Sequence, residues 1–146
     1  MLRSTQNRTP RSVVQLCCCH DPQTVVEIEF FKKDDNCPFI DHYDLSTEVK
    51  ILTAKTQDKG EDTLNTTTFD KLLKDKAMSQ WHVYWLAESY DWYLSLGINP
   101  SHLRIREHMK DELSHYSSET FDIDYKFPFG WKEVHGCANR GNFDLR

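Results

Sequence analysis

The chain has no apolar run approaching the roughly 20 residues needed to cross a bilayer, so no segment of it reads as a membrane-spanning helix. It has no cysteine framework either. Cys17, Cys18, Cys19, Cys37 and Cys137 are odd in number, irregularly spaced and partly consecutive. That pattern is neither a disulfide scaffold nor the C-x2-C pairing of a zinc site, and reduced intracellular thiols are the plain reading. A surplus of positive charge is missing too: the formal net charge is −5. This argues against a dedicated nucleic-acid coat protein while leaving room for a local basic groove. P-loop, dinucleotide-binding glycine fingerprint, nucleophile elbow and internal repeats are all absent.

What is present fits one soluble globular domain. At 146 residues, 28% charged and 38% hydrophobic, the chain can bury a modest core. Residues 1–22 stand apart as an atypical leader, expected to be disordered. Its first 19 residues hold Arg3, Arg8 and Arg11, several Ser and Thr, and no acid. Organelle transit peptides share that composition, but Pro10 breaks any amphipathic helix there.

Beyond the leader, Val25 to Phe31 alternates with period two, the signature of a half-buried strand. Val26, Ile28 and Phe30 share one face, whereas Glu27, Glu29 and Phe31 share the other. A solvated face is the ordinary fate of such acids. A polar turn at Asp34 to Asn36 and an irregular stretch from Cys37 to Tyr43 come next, then a second strand within Thr47 to Ala54. Lys55 to Thr68 is polar and aperiodic and reads as a surface loop. Phe69 to Ala77 predicts a short helix.

Ser79 is a suitable N-cap for a long helix from Gln80 to about Leu96, closed by Gly97 and Pro100. Trp81, Tyr84, Trp85, Trp92 and Leu96 recur at helical spacing and predict a core-facing stripe. Leu103 to Arg106 predicts another strand. His108, Glu112 and His115 have spacings that share a helix face, yet they lack the H-E-x-x-H arrangement of zinc hydrolases; ionic and hydrogen-bonding roles are the commoner use.

Phe121 to Phe127 alternates again, and Trp131 to Gly136 follows after a short Pro128-Phe129-Gly130 turn, so the two predict a hairpin. Simple alternation puts Trp131, Glu133 and His135 on one side. The stretch from Phe127 to Leu145 is aromatic and glycine-rich, with Glu133 as a carboxylate in its midst; burial of that group would demand a partner. The architecture expected is α+β: an antiparallel sheet with at least one long helix.

The assembled residues resemble a known family. From about Val26 to Leu145 the chain is similar to the catalytic domain of dimeric-type glycyl-tRNA synthetases, of class II. Four stretches carry the resemblance: Glu27-Ile28-Glu29-Phe30-Phe31; Leu96-Gly97-Ile98 with Leu103-Arg104-Ile105-Arg106-Glu107-His108; Glu112-Leu113-Ser114-His115-Tyr116 with Phe121-Asp122-Ile123; and Phe127 to Leu145.

The resemblance implies a partial class II catalytic fold over residues 23–146, an antiparallel sheet with flanking helices. Residues from about 34 to 110 would include a family insertion, plausibly near the tRNA acceptor end. It implies activation of glycine with ATP and Mg²⁺ and transfer to tRNA(Gly), in a cytoplasmic homodimer with a mitochondrial location as the alternative. By the same likeness Glu27 would receive the α-ammonium of glycine, a charge-assisted contact. Glu133 and Val134 would face ATP, with Glu133 on Mg²⁺, a hard ion suited to oxygen ligands. Arg140 would lie near the same nucleotide. Glycine would be selected by a pocket too small for a side chain.

The chain also departs from that pattern. The family's motif 2 brings arginines toward the position of Glu27, one of them for the α-phosphate, where charge builds up during adenylate formation. Gln15, Leu16, Cys17, Cys18, Cys19 and His20 supply none. Motif 1 is missing, and motif 3 and the anticodon-binding domain would lie beyond Arg146. The isolated chain is therefore expected to be inactive and marginally stable. A non-catalytic tRNA- or protein-binding module is the alternative, and a thiol metal site at Cys17 to His20 a third.

Overall fold

A computed structural model describes residues 12–17, 25–31, 34–113 and 117–142. Seven strands, Ser12–Cys17 (β1), Val25–Phe30 (β2), Glu48–Leu52 (β3), Asn65–Thr68 (β4), Leu103–Glu107 (β5), Glu119–Phe127 (β6) and Gly130–Asn139 (β7), form one sheet in the order β1-β2-β7-β6-β5-β3-β4. Three α-helices interrupt them: Ala54–Asp58 (α1), Phe69–Lys74 (α2) and Gln80–Ser95 (α3). Among the described residues no helix is long and apolar enough to cross a membrane.

The α+β class holds, but the sheet is mixed rather than antiparallel. β2 runs parallel to β7, and β3 runs parallel to β5. Parallel neighbours need a long crossover, and the chain between β3 and β5 supplies one that contains α3. Alternation within a strand reports which face is buried, not which distant strand lies alongside, so the sequence showed only the β6–β7 hairpin.

α3 starts where expected: Ser79 Oγ accepts the N–H of His82 at 3.3 Å, filling one of the orphan donors of the first turn. The helix ends before Gly97, whose φ of +85° suits a residue without Cβ. The predicted stripe is buried in part: Trp81 lies in the core and Tyr84 and Trp85 pack against it, half-buried. Val83, Leu86, Tyr90 and Tyr93 are buried, together with Trp81. Trp92 and Leu96 are 51% and 59% exposed. The helix is rotated so that its mixed aliphatic and tyrosine line packs on Ile28, Phe30, Ile105, Ile123 and Cys137.

One expectation needs correction nearby. The stretch from Lys55 to Thr68 is not all loop: Thr53 Oγ1 caps α1 by accepting the N–H of Thr56, and β4 pairs with β3 at the sheet edge. β4 consists of Asn and three Thr, exposed or half-buried; β-branched Thr suits a strand but leaves no hydrophobic alternation to read. Within residues 1–22, Ser12–Cys17 pairs antiparallel with β2; Cys18, Cys19 and His20 lie outside the described residues.

Ser79→Ala should lower unfolding free energy by about 1 kcal/mol, because Ser79 also donates to Glu119. Trp92→Ser should change it by less than about 0.5 kcal/mol. Urea unfolding followed by far-UV circular dichroism measures both; a larger loss for Trp92→Ser would place that residue in the core.

Candidate functional site

The site is built by an irregularity in β7. Across the β6–β7 ladder Ile123 pairs with His135 and Asp124 pairs with Glu133, so Val134 has no residue opposite it. One extra residue makes a β-bulge, which bends the strand and re-aims its side chains. Glu133 and His135 therefore face opposite sides, which corrects the expectation of one shared side. Trp131 stays with Glu133, because their ladder partners Lys126 and Asp124 lie on one face.

On the core side His135 is buried, with Nε2 3.0 Å from Ser89 Oγ and Nδ1 3.4 Å from the Tyr93 hydroxyl. Burial pushes its pKa down to about 4. Val134 turns to the same side: its side chain packs on the core and its carbonyl accepts the Tyr93 hydroxyl at 3.3 Å. It does not line the cavity described next.

On the open side, Glu133 meets Asp122 and Glu27 around Gly136. A Cβ placed on Gly136 would lie 3.1 Å from Glu133 Oε1, 3.8 Å from Asp122 Oδ1 and 3.9 Å from Glu27 Cγ. Glycine here gives the acids room to converge. Glu27, Glu29, Asp122, Glu133, Gly136 and His108 are among the residues that enclose a cavity of about 170 Å³. Pockets for drug-sized ligands run to about 300–1,000 Å³, so this one fits only a small solute.

The acids are unequally neutralised. Asp122, 1% exposed, receives Arg106 Nη2 at 3.1 Å and His108 Nε2 at 2.6 Å. The hydrogen bond to Asp122 raises the His108 pKa against the opposing effect of burial. Arg106 Nη1 also reaches both oxygens of Glu112 at 3.2 Å. The Met109 N–H, foremost, and Arg106 lower the Glu112 pKa against burial. His108 and Glu112 thus serve an ionic network, and His115 lies outside the described residues.

Glu133 has no ion-pair partner among the described residues. Glu133 is exposed as a residue, but one carboxylate oxygen lies against Gly136. Burial first, then the nearby Asp122, push its pKa up to about 7. Arg140 stands at the edge, its Nη1 2.9 Å from Glu29 Oε2 and its guanidinium 5.2 Å from the centre of the Phe31 ring. It touches the cavity through Glu29 rather than lining it.

Asp122, Gly136 and Arg106 are not among the site residues that the sequence singles out. A signal was available: in antiparallel register Arg104 falls opposite Asp124 and Arg106 opposite Asp122, and opposite charges on facing strands stabilise such a pair. Asp122 and Asp124 are 1% and 3% exposed, so their alternation with Phe121 and Ile123 marks two buried faces, not one buried and one wet.

No protein-family model matches the chain. A stretch of 67 residues, 46% of the chain, is 52% identical to glycine–tRNA ligase of Geobacillus thermodenitrificans and to that of Staphylococcus aureus strains JH9 and Newman. Over that stretch the chain resembles glycine–tRNA ligase. The stretch spans 14% of the length of each of these relatives. The resemblance is to an enzyme.

Folded Glu133 keeps its proton up to about pH 7, whereas an ordinary glutamate loses it near 4.5. Between those values the folded chain binds a proton that the unfolded chain has released, so this group lowers stability as pH rises through the window. Glu133→Gln should remove that loss. Its urea midpoint relative to the parent chain should climb from about pH 4.5 to 7 and stay level above; a difference independent of pH would mean that Glu133 ionises normally.

Proposed function

We propose that the chain is part of a glycine–tRNA ligase catalytic domain of class II fold and that the Glu27–Glu133–Gly136 cavity receives glycine. The observation that supports this most is the meeting of Glu27, Asp122 and Glu133 around one Cβ-free position in a space of about 170 Å³. An α-ammonium carries three donors, and ionised carboxylates accept from it by short, charge-assisted hydrogen bonds. Glu27 is the principal acceptor. Glu133, poised near neutrality, gives up its proton when the ammonium enters and becomes a second one. A substrate with a side chain would have to displace one of these acids, so size exclusion selects glycine.

ATP, as substrate, lies on the same open face. A carboxylate oxygen suits Mg²⁺, and Glu133 would hold the ion; when bound it neutralises the phosphates and lets an anion approach an acidic surface. Arg140, tethered to Glu29, lies beside this position and can turn to a phosphate. tRNA(Gly), a homodimeric assembly and a cytoplasmic location belong to the same reading, as does an insertion within about 34–110. In the full ligase the chain's acids bind and orient glycine, while charge developing on the α-phosphate needs cations that β1 does not carry.

Isothermal titration of the chain with glycine tests the reading. Glu27→Gln should weaken glycine binding by about 10- to 100-fold, the worth of a hydrogen bond to a charged group, while L-alanine should bind no more tightly than glycine to either form. Equal glycine affinity with and without the Glu27 carboxylate would overturn the proposal.

A further inference from the structure

The tip of the β6–β7 hairpin carries a row of rings that runs out of the core. His102, Tyr125, Phe127 and Phe129 follow one another with centroids 5.8, 4.8 and 5.1 Å apart. Tyr125 still packs against the core. Phe127 and Phe129 lie nearly parallel, with 5° between their planes, so one face of Phe129 rests on Phe127 and the other is open. Phe129 is 66% exposed, more than Trp92 or Leu96. The ladder continues to the turn, pairing Lys126 with Trp131 and Phe127 with Gly130, and Pro128 restricts φ within it. The ring pair is therefore set in place before any ligand arrives, which lowers the cost of binding.

Charge at the tip is opposite in sign to that of the chain. The net charge is −5, yet Tyr125 to Lys132 holds two lysines and no acid, and Leu96 to Leu103 holds no acid either. Lys126 and Lys132 are exposed and belong to no ion pair among the described residues. Lys132 lies opposite Tyr125 in the ladder, beside the row of rings. Lys126 Nζ stands 5.9 Å from the centre of the Trp131 ring on the other face. The acids that follow in each strand are otherwise engaged: Asp124 is paired with Arg104, and Glu133 turns toward Gly136.

We propose that this tip is a stacking platform for an unpaired base of a single-stranded nucleic acid, with Phe129 against the base and Lys126 and Lys132 toward the flanking phosphates. Every base has a flat face to lay on an exposed ring, and cations beside the ring follow the charged backbone. A second copy of this chain would bring the same lysines against these, like charge on like charge. An apolar protein surface would leave both lysines unused. A duplex keeps its bases stacked on one another and offers the ring nothing to cover. The platform agrees with a tRNA partner, but none of its residues lines the glycine cavity, so it is tested separately from that site.

Fluorescence anisotropy of the whole chain with fluorescein-labelled octaadenylate, as RNA and as DNA, tests the proposal. Binding should saturate at low salt and weaken as salt rises. Phe129→Ala should weaken it by about 5- to 100-fold, whereas Phe129→Trp should retain it and Trp92→Ser should leave it unchanged. Lys132→Gln should flatten the log–log salt dependence by about 0.7. Tighter binding of RNA than of DNA assigns the site to RNA; equal binding assigns it to either single strand. Glycine titration of Phe129→Ala should match the parent chain, which separates a failure here from a failure of the glycine site. No saturable binding, equal affinity for a fully paired RNA duplex, or indifference to Phe129→Ala would overturn the proposal. So would self-association of the parent chain that Phe129→Ala abolishes, since it would assign the tip to a second copy.

Discussion

The single unpaired residue at Val134 sets the chemistry of this molecule. Without it, strict alternation would aim Glu133 and His135 at the same side of β7, one of them wrongly. A carboxylate driven into the core beneath α3 would need a partner it does not have, and a histidine turned outward would abandon Ser89 and Tyr93. With the bulge, His135 stays neutral in the core while Glu133 closes over Gly136 on the open face. The site is therefore a consequence of strand register, and its precision comes from the β6–β7 ladder rather than from a loop.

The ladder in turn depends on how the acids of β6 are satisfied. Asp122 and Asp124 are nearly inaccessible, and an unpaired buried carboxylate is costly. Arg106 and His108 hold Asp122, and Arg104 holds Asp124 at 2.9 Å while stacking 4.7 Å from the Trp131 ring. Those cations are committed to β6. Glu27 and Glu133 are left facing the cavity with net negative charge, which is the condition for capturing an ammonium group.

Much of this was legible in the residues and some was not. The faces of β2 could be read directly, since Ile28 and Phe30 are 8% and 0% exposed and Glu27 and Glu29 lie opposite. The cap and stop of α3 were equally clear, because capping is a local matter of Ser79 and Gly97. Failures came where tertiary context decided. A bulge leaves no mark in the hydrophobic pattern when Val134 and His135 both turn inward. β4 is polar throughout, and the rotation of α3 was chosen by the sheet, not by its most conspicuous rings. Parallel pairing of β2 with β7 joins segments over a hundred residues apart, beyond any periodicity. The glycine-site reading came from likeness to a family; geometry adds Asp122 and Gly136 beside Glu27 and Glu133 and sets Val134 against the core.

The most direct test of the central claim asks where glycine sits. With ¹³C-labelled glycine added to the chain, isotope-filtered NMR should give nuclear Overhauser contacts from its methylene protons to the Gly136 α-protons and the Glu27 side chain. Contacts confined to other residues, with none to Gly136 or Glu27, would contradict an amino-acid site made by the bulge.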